Sequence, residues 1–109
     1  MTIEDALELL GDAPQLTHRV LFGGYGLYSA GKIFALWDEG VLYLKGDDIS
    51  APIYNAARSQ QFSYMSKNGP MQMKYWRFSS DEELLDHLQD ALDTATRAPA
   101  PKPKKPKRI

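Results

Sequence analysis

The sequence predicts an α+β fold, in which an antiparallel β-sheet, built as a meander plus further strands, packs against amino- and carboxy-terminal helices. Apolar residues recur at helical spacing near both ends of the chain, whereas apolar runs of strand length fill most of the stretch between them. The turns between those runs are shorter than the dozen or more residues that a parallel crossover needs. The 109 residues therefore predict one domain, with 43% hydrophobic residues to form its core.

The first predicted element is a helix that begins after Thr2, a residue type suited to capping a helix amino terminus. Its apolar positions at i, i+3, i+4 and i+7 are Ile3, Ala6, Leu7 and Leu10. Glu4 and Asp5 lie at the positive end of the helix dipole, and Gly11 is placed to end the helix.

Residues 19–45 predict three antiparallel strands in a meander. The apolar runs at 33–37 and 41–44 are separated by "DEG" at 38–40, which is typical of a hairpin turn. The tripeptide "SAG" at 29–31 marks the preceding turn. Because the connections are so short, each strand should pair with the next one along the chain.

Beyond the meander, the pattern predicts one short helix and two further strands. Ser50 precedes residues 51–61, a segment with proline in its first turn that predicts the helix. Residues 62–66 predict a short edge strand, and residues 68–70 predict a turn. The next strand, at 71–78, alternates between two faces. One face carries Met71, Met73 and Tyr75, and the other carries Gln72, Lys74 and Trp76.

The last predicted element is a single helix of about four turns that covers one side of the sheet. Ser80 and Glu83 have the spacing of a capping box, and acidic residues fill the first turn. The apolar residues that repeat along one face of this helix are Leu84, Leu88, Ala91, Leu92 and Ala95.

The charge of the chain is divided between a folded domain, predicted at 1–97, and a disordered tail, predicted at 98–109. The tail is rich in proline and lysine and too poor in apolar groups to offset its ordering entropy. Residues 1–96 carry seven cations against 14 acidic groups, a net −7, whereas residues 97–109 carry +6. The candidate nucleic-acid contacts are Lys102, Lys104, Lys105, Lys107 and Arg108. A solubilising tail, or one that folds back onto the acidic last helix, is an equal alternative.

The run "LFGGYGLYSAGKIFAL" at 21–36 is either a phosphate-binding loop or a strand that bends. Gly24 and Gly26 supply only the first half of the pattern G-x-G-x-x-G, whose last position here is Ser29. A strand pattern follows where a phosphate loop needs a helix amino terminus. We therefore favour a strand whose glycines permit a bulge, a sharp coil or a close approach of another group.

The residues that could carry chemistry predict no catalytic or metal site. The chain has no cysteine, which removes thiol chemistry and cysteine-ligated metals. His87 and Asp90 share a helix face, but such a pair is more typical of a solvated surface than of a metal site. Asp47 and Asp48 are most simply a polar turn, and His18 a loop residue. We therefore expect no catalytic residue, no metal, no cofactor and no enzyme.

The amino-terminal segment has no signal-peptide pattern, and no apolar run approaches the ~20 residues of a membrane span. These features predict a cytoplasmic location.

Four stretches have the order and spacing of a known family. They are "LFGGYGLYSAGKIFAL" at 21–36, "LYLKGDD" at 42–48, "FSYM" at 62–65 and "MKYWRF" at 73–78. With them the chain resembles, over about residues 3–96, the amino-terminal domain of the TfoX/Sxy family of bacterial competence regulators. The resemblance implies an α+β domain without known catalysis that helps to switch on DNA-uptake genes alongside the cyclic-AMP receptor protein. It transfers no functional residues.

The resulting hypothesis is a non-catalytic interaction domain that acts through protein partners in transcription regulation. The partners would be the transcription machinery, with the cyclic-AMP receptor protein as one candidate, and the tail would add weak nucleic-acid affinity. The predicted partner-binding residues are Gly23, Gly24, Tyr25, Gly26, Tyr28, Tyr75, Trp76 and Arg77. One alternative is a single-stranded nucleic-acid binder that uses the sheet aromatics and the tail. Another is a small-ligand protein or enzyme whose site has no recognisable motif.

Overall fold

The computed structural model describes residues 1–21 and 23–99, which form one antiparallel sheet and four helices. The helices are α1 (Ile3–Leu9), α2 (Ser50–Ala56), α3 (Asp81–Asp86) and α4 (Leu88–Arg97). The strands are β1 (Leu16–Leu21), β2 (Gly24–Ser29), β3 (Lys32–Asp38), β4 (Val41–Lys45), β5 (Ser59–Ser66) and β6 (Gly69–Phe78). Their order in the sheet is β1-β2-β3-β4-β6-β5, and every neighbouring pair is antiparallel. The predicted α+β fold class is therefore confirmed.

One hydrophobic core lies between the sheet and the helices. Tyr54 of α2 belongs to the same buried cluster as Leu44 and Trp76 of the sheet, together with buried residues of the other helices. Successive side chains of a strand point to opposite faces, so this cluster marks the face that the helices cover. Leu36 and Tyr43 are also buried, but they lie outside the cluster, on the opposite face.

The third strand contains one more residue than its partner at a single point. Leu27 of β2 pairs with Ala35 of β3. The next pair is Tyr28 with Ile33, which leaves Phe34 without a partner as a β-bulge. Phe34 and Ala35 are consecutive in sequence, and both are fully buried in the core. The bulge therefore lets two consecutive residues of β3 face the helices.

The meander has four strands rather than the predicted three. A turn at Gly23, where φ is 81°, separates β1 from β2 within the segment that the sequence analysis assigned to one strand. The residues of β1 are mostly exposed, because this strand forms an edge of the sheet. An edge strand with little buried surface leaves only a weak hydrophobic pattern in the sequence.

The second helix is shorter than predicted and ends at Ala56 rather than near residue 61. The carbonyl oxygen of Tyr54 accepts hydrogen bonds from the Ala57 N–H, at 3.0 Å, and from the Ser59 hydroxyl. These bonds replace the next helical bond and end the helix. The chain then enters β5 at Ser59, and β5 is an edge strand, as predicted.

The predicted carboxy-terminal helix is two helices, divided at His87. The His87 N–H donates to the Leu84 carbonyl at 3.0 Å, an i to i−3 bond that ends α3. After this break α3 packs against β6, while α4 packs against β3 and β4. Ser80 caps α3 by accepting from the Glu83 N–H at 3.1 Å. The capping box is incomplete, because the Glu83 carboxylate accepts from the Ser79 hydroxyl instead.

Candidate protein-binding face

The candidate site is the surface of the sheet opposite the four helices, which we call the helix-free face. Trp76 and Phe78 of β6 lie in the core, so the alternating residues Tyr75 and Arg77 point to this face. The same alternation applies to the neighbouring strands. It places on the helix-free face Arg19, Tyr28, Ile33, Leu36, Tyr43 and Lys45.

A pocket of about 330 Å³ lies on the helix-free face. Its lining residues are Leu21, Leu36, Asp38, Phe62, Tyr64 and Met73. Leu21 belongs to β1 and Phe62 to β5, which are the two edge strands of the sheet. For both edges to reach one pocket, the sheet must curl around it. The helix-free face is therefore concave, and its centre is apolar.

Aromatic contacts build one wall of this pocket. The ring of Tyr43 meets the ring of Phe62 edge to face, with centroids 4.9 Å apart, and Phe62 lies 6.5 Å from Tyr64. Burial raises the pKa of Tyr43 above its usual value, although the nearby charge of Arg77 opposes the shift. Burial also raises the pKa of Tyr75 to about 12. These tyrosines are therefore partly shielded from water although none of the helices that the structure describes covers them.

An irregular pairing between β5 and β6 lies beside the pocket residues. Gln61 pairs with Trp76, but the next pair is Ser63 with Gln72, so several residues of β6 are skipped. The side-chain amide of Gln61 donates to the Met73 carbonyl at 3.0 Å and satisfies a backbone acceptor within this gap. Met73 lies in this gap, where it has no directly opposite residue on β5, and it lines the pocket.

The glycines of β2 permit close packing between strands. A Cβ atom on Gly24 would collide with the backbone carbonyl oxygen of Trp37, so only glycine fits there. A Cβ atom on Gly26 would lie 3.0 Å from the Ile33 side chain and 3.1 Å from that of Leu21. Residues 24–29 of the run thus form a strand that leads into β3, and the alternative of a phosphate-binding loop before a helix is wrong for this segment.

Charge is divided between the two layers of the molecule. Of the 14 acidic residues, nine lie in three of the helices: Glu4, Asp5, Glu8, Asp81, Glu82, Glu83, Asp86, Asp90 and Asp93. Among the described strands, the lysines and arginines are Arg19, Lys32, Lys45, Lys74 and Arg77. The strands contain one acidic residue, Asp38. The helical layer is therefore acidic, and the sheet is basic.

The family model of the TfoX N-terminal domain matches residues 8–100. The chain belongs to this family. The match includes all six strands, so the whole helix-free face lies inside the matched part of this TfoX N-terminal domain. A comparison with curated proteins gives no match. Within the described residues, no helix is both long and apolar enough to cross a membrane.

The TfoX N-terminal domain brings together only part of the predicted partner-binding set. Tyr28, Tyr75 and Arg77 share the helix-free face. Trp76 is 3% exposed, and its indole N–H donates to the Asn55 side chain at 2.9 Å, so this residue belongs to the core rather than to a surface. The prediction that Trp76 binds a partner is therefore wrong, because its side chain is buried in the core.

Tyr25 and the first two glycines also differ from a simple exposed patch. Tyr25 lies on the helical side, where its ring is 5.7 Å from His18 and 5.8 Å from Trp37. Gly24 is buried, whereas Gly23 is exposed in the turn between β1 and β2. The five predicted tail contacts, from Lys102 to Arg108, lie outside the described residues.

None of the six residues that line the pocket belongs to the partner-binding set predicted from the sequence. Leu21, Phe62 and Tyr64 lie on the two edge strands, and only the curl of the sheet brings them together. One signal in the sequence could have located Met73. Met71, Met73 and Tyr75 are two residues apart, so they share one face of β6. The residues across the pocket had no such signal.

The polar residues considered for catalysis or metal binding instead join helices. Asp47 accepts two hydrogen bonds from Arg97, at 2.8 and 2.9 Å, and others from Ser50. The Arg97 guanidinium holds the pKa of the Asp47 carboxyl well below its usual range. His87 and Asp90 form a separate pair at 3.0 Å. In the part of the chain that the structure describes, no group of three or more potential ligands could hold a metal ion.

Proposed function

We infer that this TfoX N-terminal domain is a non-catalytic interaction domain that binds a protein partner on its helix-free face and acts in transcription regulation. The observation that carries the proposal is the apolar pocket at the centre of a sheet face that no helix covers in the described residues. Pockets of this kind, rimmed by polar groups, are typical of docking sites.

The residue types around the pocket support a protein partner. Tyr64 and Met71 are 46% and 45% exposed, although large apolar side chains are usually buried. Aromatic residues, methionine and arginine are enriched at protein interfaces, and methionine adapts its shape to different partners. Tyr64 lines the pocket, and Met71 lies directly opposite it in the β5–β6 hairpin.

A non-catalytic role is supported by what the pocket offers chemically. Its titratable side chains are the carboxyl of Asp38 and the phenol of Tyr64, and its other lining residues are apolar. General acid and base catalysis needs a positioned pair of proton-transfer groups with suitable pKa values. The family membership and the resemblance to competence regulators support a partner in the transcription machinery, with the cyclic-AMP receptor protein as the first candidate.

Site-specific photo-crosslinking in a bacterial host of the gene tests this proposal. A photoreactive phenylalanine analogue replaces Tyr64 at the pocket or, as the control, Ile53, which is 41% exposed on α2 in the helical layer. We expect mass spectrometry to identify a transcription protein crosslinked from position 64 and not from position 53. Equal crosslinking from both positions, or none from position 64, would contradict the proposal.

Purified components provide the quantitative test. The Tyr64→Asp variant should lose binding to the identified partner by about tenfold or more, because a charge replaces an apolar contact at the pocket rim. The Ile53→Asp variant places the same charge on the helical layer and should bind as the wild type does. Circular dichroism of both variants checks that the fold is intact.

A second candidate function, binding of single-stranded nucleic acid, is favoured by one observation. The guanidinium of Arg19 lies 5.6 Å from the ring centroid of Tyr28, on the same face as Lys45 and Arg77. Aromatic rings beside cations can stack bases and contact phosphates. Fluorescence anisotropy with labelled oligothymidylate tests this function. Binding by the wild type that Tyr28→Ala abolishes would favour it. Binding that the variant leaves unchanged would reject the helix-free face as the binding site.

A further inference from the structure

We propose that Arg58 and Arg77 form an anion-binding subsite beside the apolar pocket, and that the partner segment recognised there is acidic and carries a bulky apolar anchor. This inference rests on the proposed function and specifies the chemistry of the partner. The anchor occupies the pocket, while a carboxylate of the same segment pairs with the two guanidinium groups.

The register of the β5–β6 pair places the arginine subsite next to the apolar pocket. Arg77 of β6 lies directly opposite Gln60 of β5, two residues before Phe62 of the pocket wall. Side chains two apart on one strand are separated by about 7 Å. Arg77 is also close enough to Tyr43, which contacts Phe62, for its charge to oppose the rise in the Tyr43 pKa. The subsite is therefore continuous with the pocket.

Arg58, the residue immediately before β5, is the second arginine of the subsite. Its carbonyl oxygen accepts from the Ser79 N–H at 3.0 Å, which extends the strand pairing by one step. Arg58, Gln60, Arg77 and Ser79 line a single open pocket of about 560 Å³. Arg77 from β6 and Arg58 from the residue before β5 therefore line one open space.

Both arginines are available to a ligand. The ion pairs among the described residues join Lys74 to Asp48, His87 to Asp90 and Arg97 to Asp47. Arg58 and Arg77 take part in none of them, and both are exposed. A carboxylate bound in the space that both arginines line accepts short charge-assisted hydrogen bonds from them.

Charge complementarity identifies the occupant as acidic. Nine of the acidic residues lie in the helical layer, whereas the charged strand residues of the helix-free face are Arg19, Lys45 and Arg77 and one acidic residue, Asp38. An acidic partner is therefore repelled by the helices and attracted to the sheet, which orients it as it approaches. The apolar pocket beside the arginines fits a side-chain anchor better than a continuous polyphosphate chain, because Asp38 at its lining would repel phosphate.

Selection from a display library of random dodecapeptides tests the proposal and does not require the partner to be identified first. Immobilised full-length protein is the bait. We expect the enriched peptides to combine aspartate or glutamate with a nearby leucine, methionine or aromatic residue. Peptides without acidic enrichment, or a selection that enriches nothing, would overturn the proposal.

Variants then locate the bound peptides. The double variant Arg58→Gln/Arg77→Gln should weaken the selected peptides by about tenfold or more, as expected for lost charge-assisted bonds. Lys67→Gln removes one positive charge from the exposed β5–β6 turn and should change affinity by less than about twofold. Arg77→Lys should recover only part of the affinity, because lysine cannot form the bidentate contact.

The same variants separate failure of this inference from failure of the proposed function. If the peptides lose affinity with Tyr64→Asp but not with the arginine double variant, the docking face stands and the acidic subsite is wrong. If neither variant changes the affinity for the peptides, both proposals are wrong.

Two other results would identify a different occupant of the subsite. If oligothymidylate competes with the peptides and its binding depends on both arginines, the subsite binds nucleic acid. Salt-sensitive self-association that the double variant removes would assign it to the acidic helices of a second copy. Each of these last two results overturns the acidic-peptide assignment.

Discussion

The two faces of this sheet are formed by alternate residues of the same strands, yet they have opposite surroundings. The helical side carries Leu44, Trp76 and the helices, and its outer surface is acidic. The helix-free side carries Leu36, Tyr43 and a pocket, and its charged groups are mostly basic. The comparison teaches that burial by itself does not mark the inside of this domain: side chains that are 4% and 8% exposed lie on the face that no described helix covers.

The largest expected effect contrasts an aromatic residue on each face. Phe34→Ala removes a fully buried ring from the core under the helices and should lower the free energy of unfolding by about 3–5 kcal/mol. Tyr64→Ala removes an aromatic ring that is 46% exposed at the pocket and should cost less than about 1 kcal/mol. Urea unfolding followed by circular dichroism measures both. Equal losses would mean that the pocket wall is as important to stability as the core.

The next effect concerns the glycine run. Gly24→Ala forces a Cβ atom against the carbonyl oxygen of Trp37 and should cost about 2–3 kcal/mol, because the backbone of two strands must separate. Gly23→Ala is the matched control, since a Cβ atom at this residue would have no other atom within 4 Å and the cost of φ 81° is about 1 kcal/mol. Thermal unfolding of the two variants gives the order. The reverse order would show that the turn, and not the strand contact, requires glycine.

A smaller, pH-dependent effect tests how the helical layer is held. Asp47→Asn weakens the contacts to Arg97 and should cost about 1 kcal/mol at pH 7. The folded-state pKa of Asp47 is lowered, so its stabilisation is present above the unfolded value of about 4 and is lost as the pH falls through the folded value. The difference in urea midpoint between wild type and variant should therefore narrow below about pH 4.

The neighbouring carboxyl group provides the control for that experiment. Asp48 is almost fully exposed and lies 3.6 Å from Lys74, a geometry that contributes little to stability. Asp48→Asn should change the free energy of unfolding by less than about 0.5 kcal/mol across the acidic and neutral range. A pH-independent loss in Asp47→Asn would contradict the assigned ion pair.

The smallest expected effect at neutral pH is that of Tyr75→Phe on the helix-free face. The pKa of Tyr75 is raised to about 12 by burial, so its stabilising contribution is complete below the unfolded value of about 10 and is lost as the pH rises through 12. As the pH rises from about 10 to about 12, the free energy of unfolding of the variant should therefore fall less than that of the wild type. Absorbance titration of the phenolate checks the shift directly, and identical alkaline curves would mean that the face is open to water at this residue.

The sequence predicted the elements better than their boundaries. Helical spacing and short turns were sufficient for the α+β class, because each reports a local period. The end of α2 depends on bonds from the Ala57 N–H and the Ser59 hydroxyl to one carbonyl, and the break at His87 depends on where two helices pack. Neither is visible in a hydrophobic pattern.

The candidate site was only partly predictable for a different reason. Tyr28, Tyr75 and Arg77 were predicted as aromatic and cationic residues on sheet segments, and the strand pairing places them on one face. Trp76 was misplaced, because the predicted set took residues from both faces of β6, and alternation does not say which face the helices will cover. The pocket itself joins Leu21 with Phe62 across the whole sheet, and such a contact requires knowledge of strand order and curl.

The bulge at Phe34 adds a residue to β3 without changing the alternation on either side of it. Ile33 points to the helix-free face and Ala35 to the helices, so both would keep these directions if they were consecutive. Trp37, whose indole N–H donates to the Met1 carbonyl at 3.2 Å, would likewise stay on the side of the helices. A deletion of this one codon should therefore cost the domain a core ring and leave both surfaces in place, whereas a deletion elsewhere in β3 would exchange the faces of the residues on one side of it.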